Sequence, residues 1–438
     1  MRVLAQASSL PMSSPGWAER ATPMPHGSDP ARVGRYEVVE RLGVGGMATV
    51  YLGRSEARLR YNSSMERLAA VKVLHGHLSA DEGFVEMFLH EAQVAARLRH
   101  RNVVGTLDVG LDDGALYSVM DYIEGDTLAA VQATATGLGR GVPLGIVLRV
   151  VIDALWGLDA AHELCGDDGL PLAVVHRDVT PQNVLIGVDG IARLSDFGIA
   201  RARGRLTHTT DGMLKGKLAY MAPEQLEGRE VDRRADVFAM GVTLWETLAL
   251  RRLYPSRVTF EQARKHARAP YRPLAEFHRA LPPELDAVCA RALAVDPNDR
   301  FDSAAAFAEM LERELGAHVA TSSELGGFIA AVAREKLERE RASLRRVRDR
   351  ASARPPARVR ASLRLRAISA AADASVLEPI PLTPRRRRSP LRAPTLPSHG
   401  FFPPTPTPSE VDDEARTREL RLPPATPSPP RADVPALR

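Results

Sequence analysis

Asp178 and Asn183 stand five residues apart in the stretch Val175-His176-Arg177-Asp178-Val179-Thr180-Pro181-Gln182-Asn183-Val184-Leu185-Ile186, and Asp196-Phe197-Gly198 follows ten residues after Ile186. This order constrains the fold more than any composition figure, because two carboxylates and an amide oxygen in this arrangement describe a phosphate-handling site. A carboxylate beside a substrate hydroxyl orients it and accepts its proton; a hard divalent cation needs oxygen ligands that leave room for water and phosphate. Asp178 suits the first role, and Asn183 and Asp196 the second. An apolar strand pattern, Ile191-Ala192-Arg193-Leu194, leads into Asp196. Each short string alone is weak evidence, so the other parts of such a site have to be found elsewhere in the chain.

Upstream, the strand pattern Tyr36 to Leu42 runs into Gly43-Val44-Gly45-Gly46-Met47-Ala48-Thr49-Val50 and a second strand. Two strands joined by glycines make a flap whose backbone N–H groups can approach phosphate unobstructed. Arg54 to Leu68 is longer and more polar than a tight turn needs, and reads as an exposed loop. Ala69-Ala70-Val71-Lys72-Val73-Leu74 is a β-branched strand with one lysine, which is costly to bury without an anionic partner. Phe84 to Leu98 has helical spacing and carries Glu91. Leu116 to Met120 is a strand leading into Asp121-Tyr122-Ile123, and an apolar helix, Ile146 to Leu158, precedes the Asp178 stretch.

Taken together, these parts resemble the Hanks-type, eukaryotic-like serine/threonine protein kinases of bacteria, whose catalytic loop and Asp-Phe-Gly segment match residues 176–183 and 196–198. The resemblance implies an α+β, two-lobed fold: an N-lobe antiparallel sheet with one helix over about residues 35–122, and a mainly helical C-lobe over about 123–315. It implies ATP with Mg²⁺, or Mn²⁺ in its place, and protein substrates phosphorylated on Ser or Thr. Lys72 would hold the α- and β-phosphates and Glu91 would hold Lys72. Leu42, Gly43, Val44, Gly45, Gly46, Met47, Ala48, Thr49 and Val50 would cover the nucleotide with Ala70. Met120 would gate the pocket, the backbone of Asp121 and Ile123 would meet adenine, and Leu185 would form the floor. Asp178 would act on the substrate hydroxyl, Asn183 and Asp196 would bind metal, and His176 would be structural. Arg177 would hold a phosphorylated loop spanning Ile199 to Ala222, with Thr207, Thr209 and Thr210 as acceptors. Asp236 would anchor the catalytic loop, and Arg300 would pair with Glu224 of Ala222-Pro223-Glu224.

Two positions depart from the family's pattern. Thr180 stands where the family has a lysine, and Lys217 where it usually has a threonine. The expectation is an exchange in which Lys217 supplies the missing cation near the transferring phosphoryl group and Thr180 takes over the hydrogen-bonding role. Pro181 and Tyr220-Met221-Ala222-Pro223-Glu224 resemble the serine/threonine branch rather than the tyrosine branch.

The chain's 438 residues leave room for tails around this unit, and 44% hydrophobic content is ordinary for a globular core. Residues 1–34, rich in Ser, Pro and Gly, read as a disordered leader, 316–350 as a helical extension that docks or pairs, and 351–438 as a disordered Arg/Pro-rich tail. From Lys336 to Arg438 there are 22 basic and 11 acidic residues, so a whole-chain charge of +5 leaves residues 1–335 at −6. The basic tail suits an acidic partner or nucleic acid. No run of about 18 apolar residues occurs, so no membrane span is expected and the location expected is cytoplasmic. Cys165 and Cys289 read as reduced core thiols. The alternative to an active, autophosphorylating kinase is a nucleotide-binding pseudokinase scaffold acting through its tail.

Overall fold

The computed structural model describes residues 29–58, 64–79, 82–197, 217–255, 259–278 and 280–353. Most of the leader, the tail from 354 on, Gly198, and Thr207, Thr209 and Thr210 lie outside the described residues.

Strands β1 (Arg32–Val33), β2 (Tyr36–Val44), β3 (Ala48–Arg58), β4 (Ser64–Leu74), β5 (Thr106–Asp112) and β6 (Ala115–Asp121) form an antiparallel sheet in the order β1-β2-β3-β4-β6-β5. Val33, Tyr36, Ala69, Val71, Tyr117 and Val119 build its core. The turn between β2 and β3 is tight, with Gly45 N–H donating to Ala48 O at 2.8 Å. Arg54 to Leu68 is not one long loop. β3 and β4 stay paired in register from Ala48↔Leu74 to Arg58↔Ser64, and the Arg54 side chain is buried against Glu37 at 2.6 Å. Polar residues on a strand that continues past the core masked this pairing. Helix α1 (Gly76–Ser79) and α2 (Glu82–Arg97) follow, and α2 packs beside β5.

The second lobe begins with β7 (Gly125–Thr127), α3 (Leu128–Gly137) and α4 (Leu144–His162). Helix α4 is apolar on nearly every side, as a helix at the centre of a lobe must be. β8 (Val184–Gly187) and β9 (Ala192–Leu194) pair with β7 into a small sheet ordered β7-β8-β9. Then come α5 (Pro223–Leu226), α6 (Arg234–Ala249), α7 (Phe260–Ala267), α8 (Glu284–Ala292) and α9 (Ala304–Leu315). Helix α6 is buried along its length, and its two threonine hydroxyls donate back to carbonyls four residues earlier, Thr243 to Ala239 O and Thr247 to Thr243 O.

Beyond Leu315 the chain stays folded, as α10 (Ser322–Val332) and α11 (Arg334–Ala353). α10 meets the β8–β9 turn backbone to backbone: a Cβ on Gly326 would lie 2.6 Å from Val188 O, and one on Gly190, at φ +73°, would lie 1.8 Å from Ser322 O. Cys289 is fully buried, but Cys165 is exposed. Cys165 lies just past the end of α4, in a turn bridged to Pro171, where it does not reach the core. Among the described residues no helix is long and apolar enough to cross a membrane.

Candidate active site

Sheet register assembles the nucleotide side of the site. Val50 pairs with Lys72 and Lys72 with Ser118, while Ala70 pairs with Met120. Directly opposed residues share a face, and so do residues two apart on one strand. Val50, Ala70, Lys72 and Met120 therefore line one surface, and Gly43, opposite Val50, lies over the same row. The Asp121 N–H is engaged by Gly105 O at 2.9 Å. Leu185 sits on β8 opposite Thr127, in the second lobe.

The catalytic loop is held from beneath by Asp236, near the start of α6. One of its oxygens, Oδ2, accepts from His176 N at 2.7 Å and bonds His162 Nε2 at 2.8 Å; the other, Oδ1, accepts from Arg177 N at 2.8 Å. Burial pushes the Asp236 carboxyl up, but the His162 bond and the charges and amides around it bring it below its ordinary value. Arg177 has φ 62°, a left-handed conformation that a residue with a Cβ adopts only when its surroundings impose it. The two amide bonds to Asp236 impose it here. His176 is fully buried against the Phe197 ring at 4.6 Å, and burial lowers its pKa, in keeping with a structural role. Arg177 is half-buried rather than buried, and the loop threonines expected to meet it lie outside the described residues.

Asp178 is 8% exposed and receives two side chains. Lys217 Nζ donates to its Oδ2 at 2.5 Å, and Asn183 Nδ2 donates to the same oxygen at 3.1 Å and to Asp178 O at 2.8 Å. With its N–H groups on Asp178, Asn183 presents its carbonyl oxygen, the hard ligand that Mg²⁺ prefers. Ser195 N–H and Oγ–H both bond Asn183 O, at 2.9 and 3.3 Å, which ties the loop to the segment carrying Asp196. Thr180 does not take the expected role. Among the described residues its buried hydroxyl has no hydrogen-bond partner, while Lys217 and Asn183 both donate to Asp178 Oδ2.

Lys72 also differs from expectation. Its ammonium donates to Asp196 Oδ1 at 2.6 Å, and among the described residues its hydrogen-bonding partner is Asp196 and not Glu91. Two acids compete for one ammonium, and Asp196, at φ 54°, takes the bond. Burial raises the Asp196 carboxyl, but the charge and hydrogen bond of Lys72 outweigh it and hold Asp196 below its ordinary value. Burial likewise opposes the charge on Lys72, yet Asp196 and then Glu91 keep its pKa above the ordinary one. Glu91 acts only through space, and burial pushes its carboxyl up to about 7. Asp196 engages Lys72 through one oxygen, so these residues fit a metal held by Asp196 and Asn183 with phosphate and water completing its shell.

Arg300 grips Glu224 with both ends of its guanidinium, at 2.7 and 2.8 Å, and both residues are buried. Sequence reasoning missed His162, whose only signal was a polar residue ending an apolar helix. It also missed Tyr122 with Glu340, joined at 2.6 Å.

The family described as the protein kinase domain matches residues 36–312. MasK of Myxococcus xanthus strain DK1622, named as a tyrosine-protein kinase, is 41% identical over 298 residues, covering 68% of this chain and 46% of MasK. The serine/threonine-protein kinase PksC of Streptomyces coelicolor is 37% identical over 280 residues, covering 62% of this chain and 48% of PksC. PknB of Mycobacterium leprae, a serine/threonine-protein kinase, is 34% identical over 289 residues, covering 65% and 43%. The chain spans less than half the length of each of these relatives. With more than half of its residues matched by one family, and with that family's lysine, aspartates and asparagine brought together as described, this chain belongs to the protein kinases.

Proposed function

We propose that the protein is an ATP- and Mg²⁺-dependent protein kinase that phosphorylates Ser or Thr of protein substrates and of its own loop, with Lys217 as the cation beside the reacting phosphoryl group. The observation that carries this reading is the trio of Asp178, Lys217 and Asn183. In it a buried carboxylate is aimed by an ammonium and an amide, in a small cleft lined also by Arg177, Thr180 and Tyr220. Asp178 orients the attacking hydroxyl and receives its proton. Lys72 and Lys217 supply fixed positive charge on either side of the transfer, where preorganised charge lowers the barrier. Asn183 and Asp196 would hold the metal, which when bound would offset the phosphate charge. Use of ATP supports a cytoplasmic location for this unit.

The Ser/Thr assignment is supported by PksC and PknB and by the resemblance of residues 220–224 to that branch. MasK, named for tyrosine, favours the second reading, in which the acceptor is a tyrosine hydroxyl. Transfer of γ-phosphate from ATP with Mg²⁺ to the protein itself and to a generic basic substrate, followed by phosphoamino-acid analysis, separates them. Phosphoserine or phosphothreonine, absent in Asp178→Asn, is the expected result; phosphotyrosine alone overturns the acceptor assignment, and no transfer with ATP bound overturns the enzyme reading.

A further inference from the structure

Helix α11 leaves the second lobe and crosses the hinge to reach the roof of the nucleotide site. Its inward stripe, Leu337, Glu340, Ser343 and Leu344, is buried at the three- and four-residue spacing of one helix face, and Leu337 joins the core of the second lobe. Five polar contacts fix its course. Lys336 Nζ donates to Gly125 O and to Asp126 Oδ1, both at 2.9 Å. Tyr122 Oη donates to Glu340 Oε2 at 2.6 Å, Arg341 Nε to Glu124 Oε1 at 2.8 Å, and Arg339 Nε to Glu40 Oε1 at 3.1 Å. Tyr122 to Asp126 join the lobes, whereas Glu40 belongs to β2, two residues before Leu42 in the flap. Three cations on the helix face three acids on the kinase body, and the one acid on the inward face, Glu340, accepts from Tyr122 and lies beside Lys336.

Exposed ion pairs of this kind each add little stability. Their arrangement matters more than their sum. A contact made to both the hinge and the roof strand exists only at one spacing of the two, and so favours that spacing. Glu40 sharpens the dependence, because its second oxygen, Oε2, is buried with no hydrogen-bond partner among the described residues, leaving Arg339 as the cation that answers its charge.

We propose that α11 is a cross-lobe strap in which Arg339, anchored by Lys336 and Glu340, is a positioning residue that holds β2 down over the hinge and so sets the affinity of the site for nucleotide. This rests on the nucleotide-binding reading above. The test uses the full chain and Mg·ATP, with Kd from calorimetry beside kcat and KM for ATP. Arg339→Glu places a like charge against Glu40, and should weaken Mg·ATP binding about five-fold or more, the lower range of coupling between linked sites. At saturating ATP, kcat should change by less than about two-fold, because Arg339 touches no reacting group. Glu40→Arg introduced into the Arg339→Glu chain should recover most of the affinity, a result that loss of folding does not produce. An unchanged Kd in Arg339→Glu, while wild type binds, overturns the strap alone. Tighter binding in that variant overturns it too, since the helix would then oppose nucleotide. Failure of wild type to bind Mg·ATP overturns the nucleotide reading and the strap with it.

Discussion

Lys217 Nζ lies 2.5 Å from Asp178 Oδ2, a contact made across 39 residues of sequence and through the segment that ends the substrate loop. The Lys217 side chain is 40% exposed while that of Asp178 is buried, and both line the cleft where a substrate hydroxyl would enter. On the proposed exchange, a lysine there would stand in for the one the family has at position 180. Lys217→Ala should slow phosphoryl transfer by roughly a hundred- to a thousand-fold, the range found when one electrostatic stabiliser is removed. The double change Thr180→Lys with Lys217→Thr should restore part of that loss in a steady-state transfer assay. Full activity in Lys217→Ala would remove the case for the exchange.

The Arg300 and Glu224 pair predicts a stability effect with no catalytic part. Both side chains are nearly inaccessible, and Arg300 also donates to Ala294 O, Arg234 O and Val295 O. Removing either partner leaves a buried charge uncompensated, at a cost of about 3–5 kcal/mol. Glu224→Ala and Arg300→Ala should each show that loss in urea unfolding, and the double variant should lose less than their sum because the pair acts as one unit. Additive losses would mean that the two charges are not coupled.

Asp236 predicts the reverse separation, a catalytic defect with nucleotide binding spared. Its carboxylate holds the His176 and Arg177 amides and thereby the left-handed turn before Asp178. In Asp236→Asn one acceptor oxygen becomes a donor, the turn relaxes, and Asp178 shifts. Misplacement of a reacting group by about 1 Å costs on the order of a hundredfold in rate. The Kd for Mg·ATP should stay near the wild-type value, since Asp236 bonds the catalytic loop and His162 while Val50, Ala70 and Met120 lie on strands of the other lobe; a matching loss in Kd would argue for general unfolding.

What could be read from the chain alone follows a physical division. Asp178, Asn183 and Asp196 stood out because the residue types that metal and hydroxyl chemistry needs lie there at short separations, and the fold brings Asp178 and Asn183 into contact. The strand around Lys72 and the helix around Glu91 were legible because apolar periodicity marks them. Residue type, however, gives capacity and not distance. Both Glu91 and Asp196 can bind an ammonium, and only the fold shows which one has it. Thr180 can donate to a carboxylate, and only the fold shows that the oxygen is already taken. The α11 contacts were illegible for a different reason: Arg339 and Glu40 are 299 residues apart, and an ion pair at that separation leaves no period, motif or composition bias.

Glu91 gives the pH prediction. Its carboxyl, ordinarily at 4.5, is pushed up to about 7, mainly by burial, with the Lys72 charge pulling the other way. An acid that holds its proton more tightly when folded stabilises the fold fully below its unfolded value and loses that contribution as pH rises through its folded value. Stability should therefore fall between about pH 4.5 and 7 in wild type. Glu91→Gln, which cannot titrate, should show a flatter profile over that window when urea midpoints are compared at each pH; parallel curves would place the titration elsewhere. A charged Glu91 also adds a second carboxylate in competition for the Lys72 ammonium, which Asp196 holds by a hydrogen bond. In an Asp196→Asn chain that competition is absent, so Glu91 should titrate lower than in wild type, which carbon-detected NMR of the labelled carboxyl can follow directly.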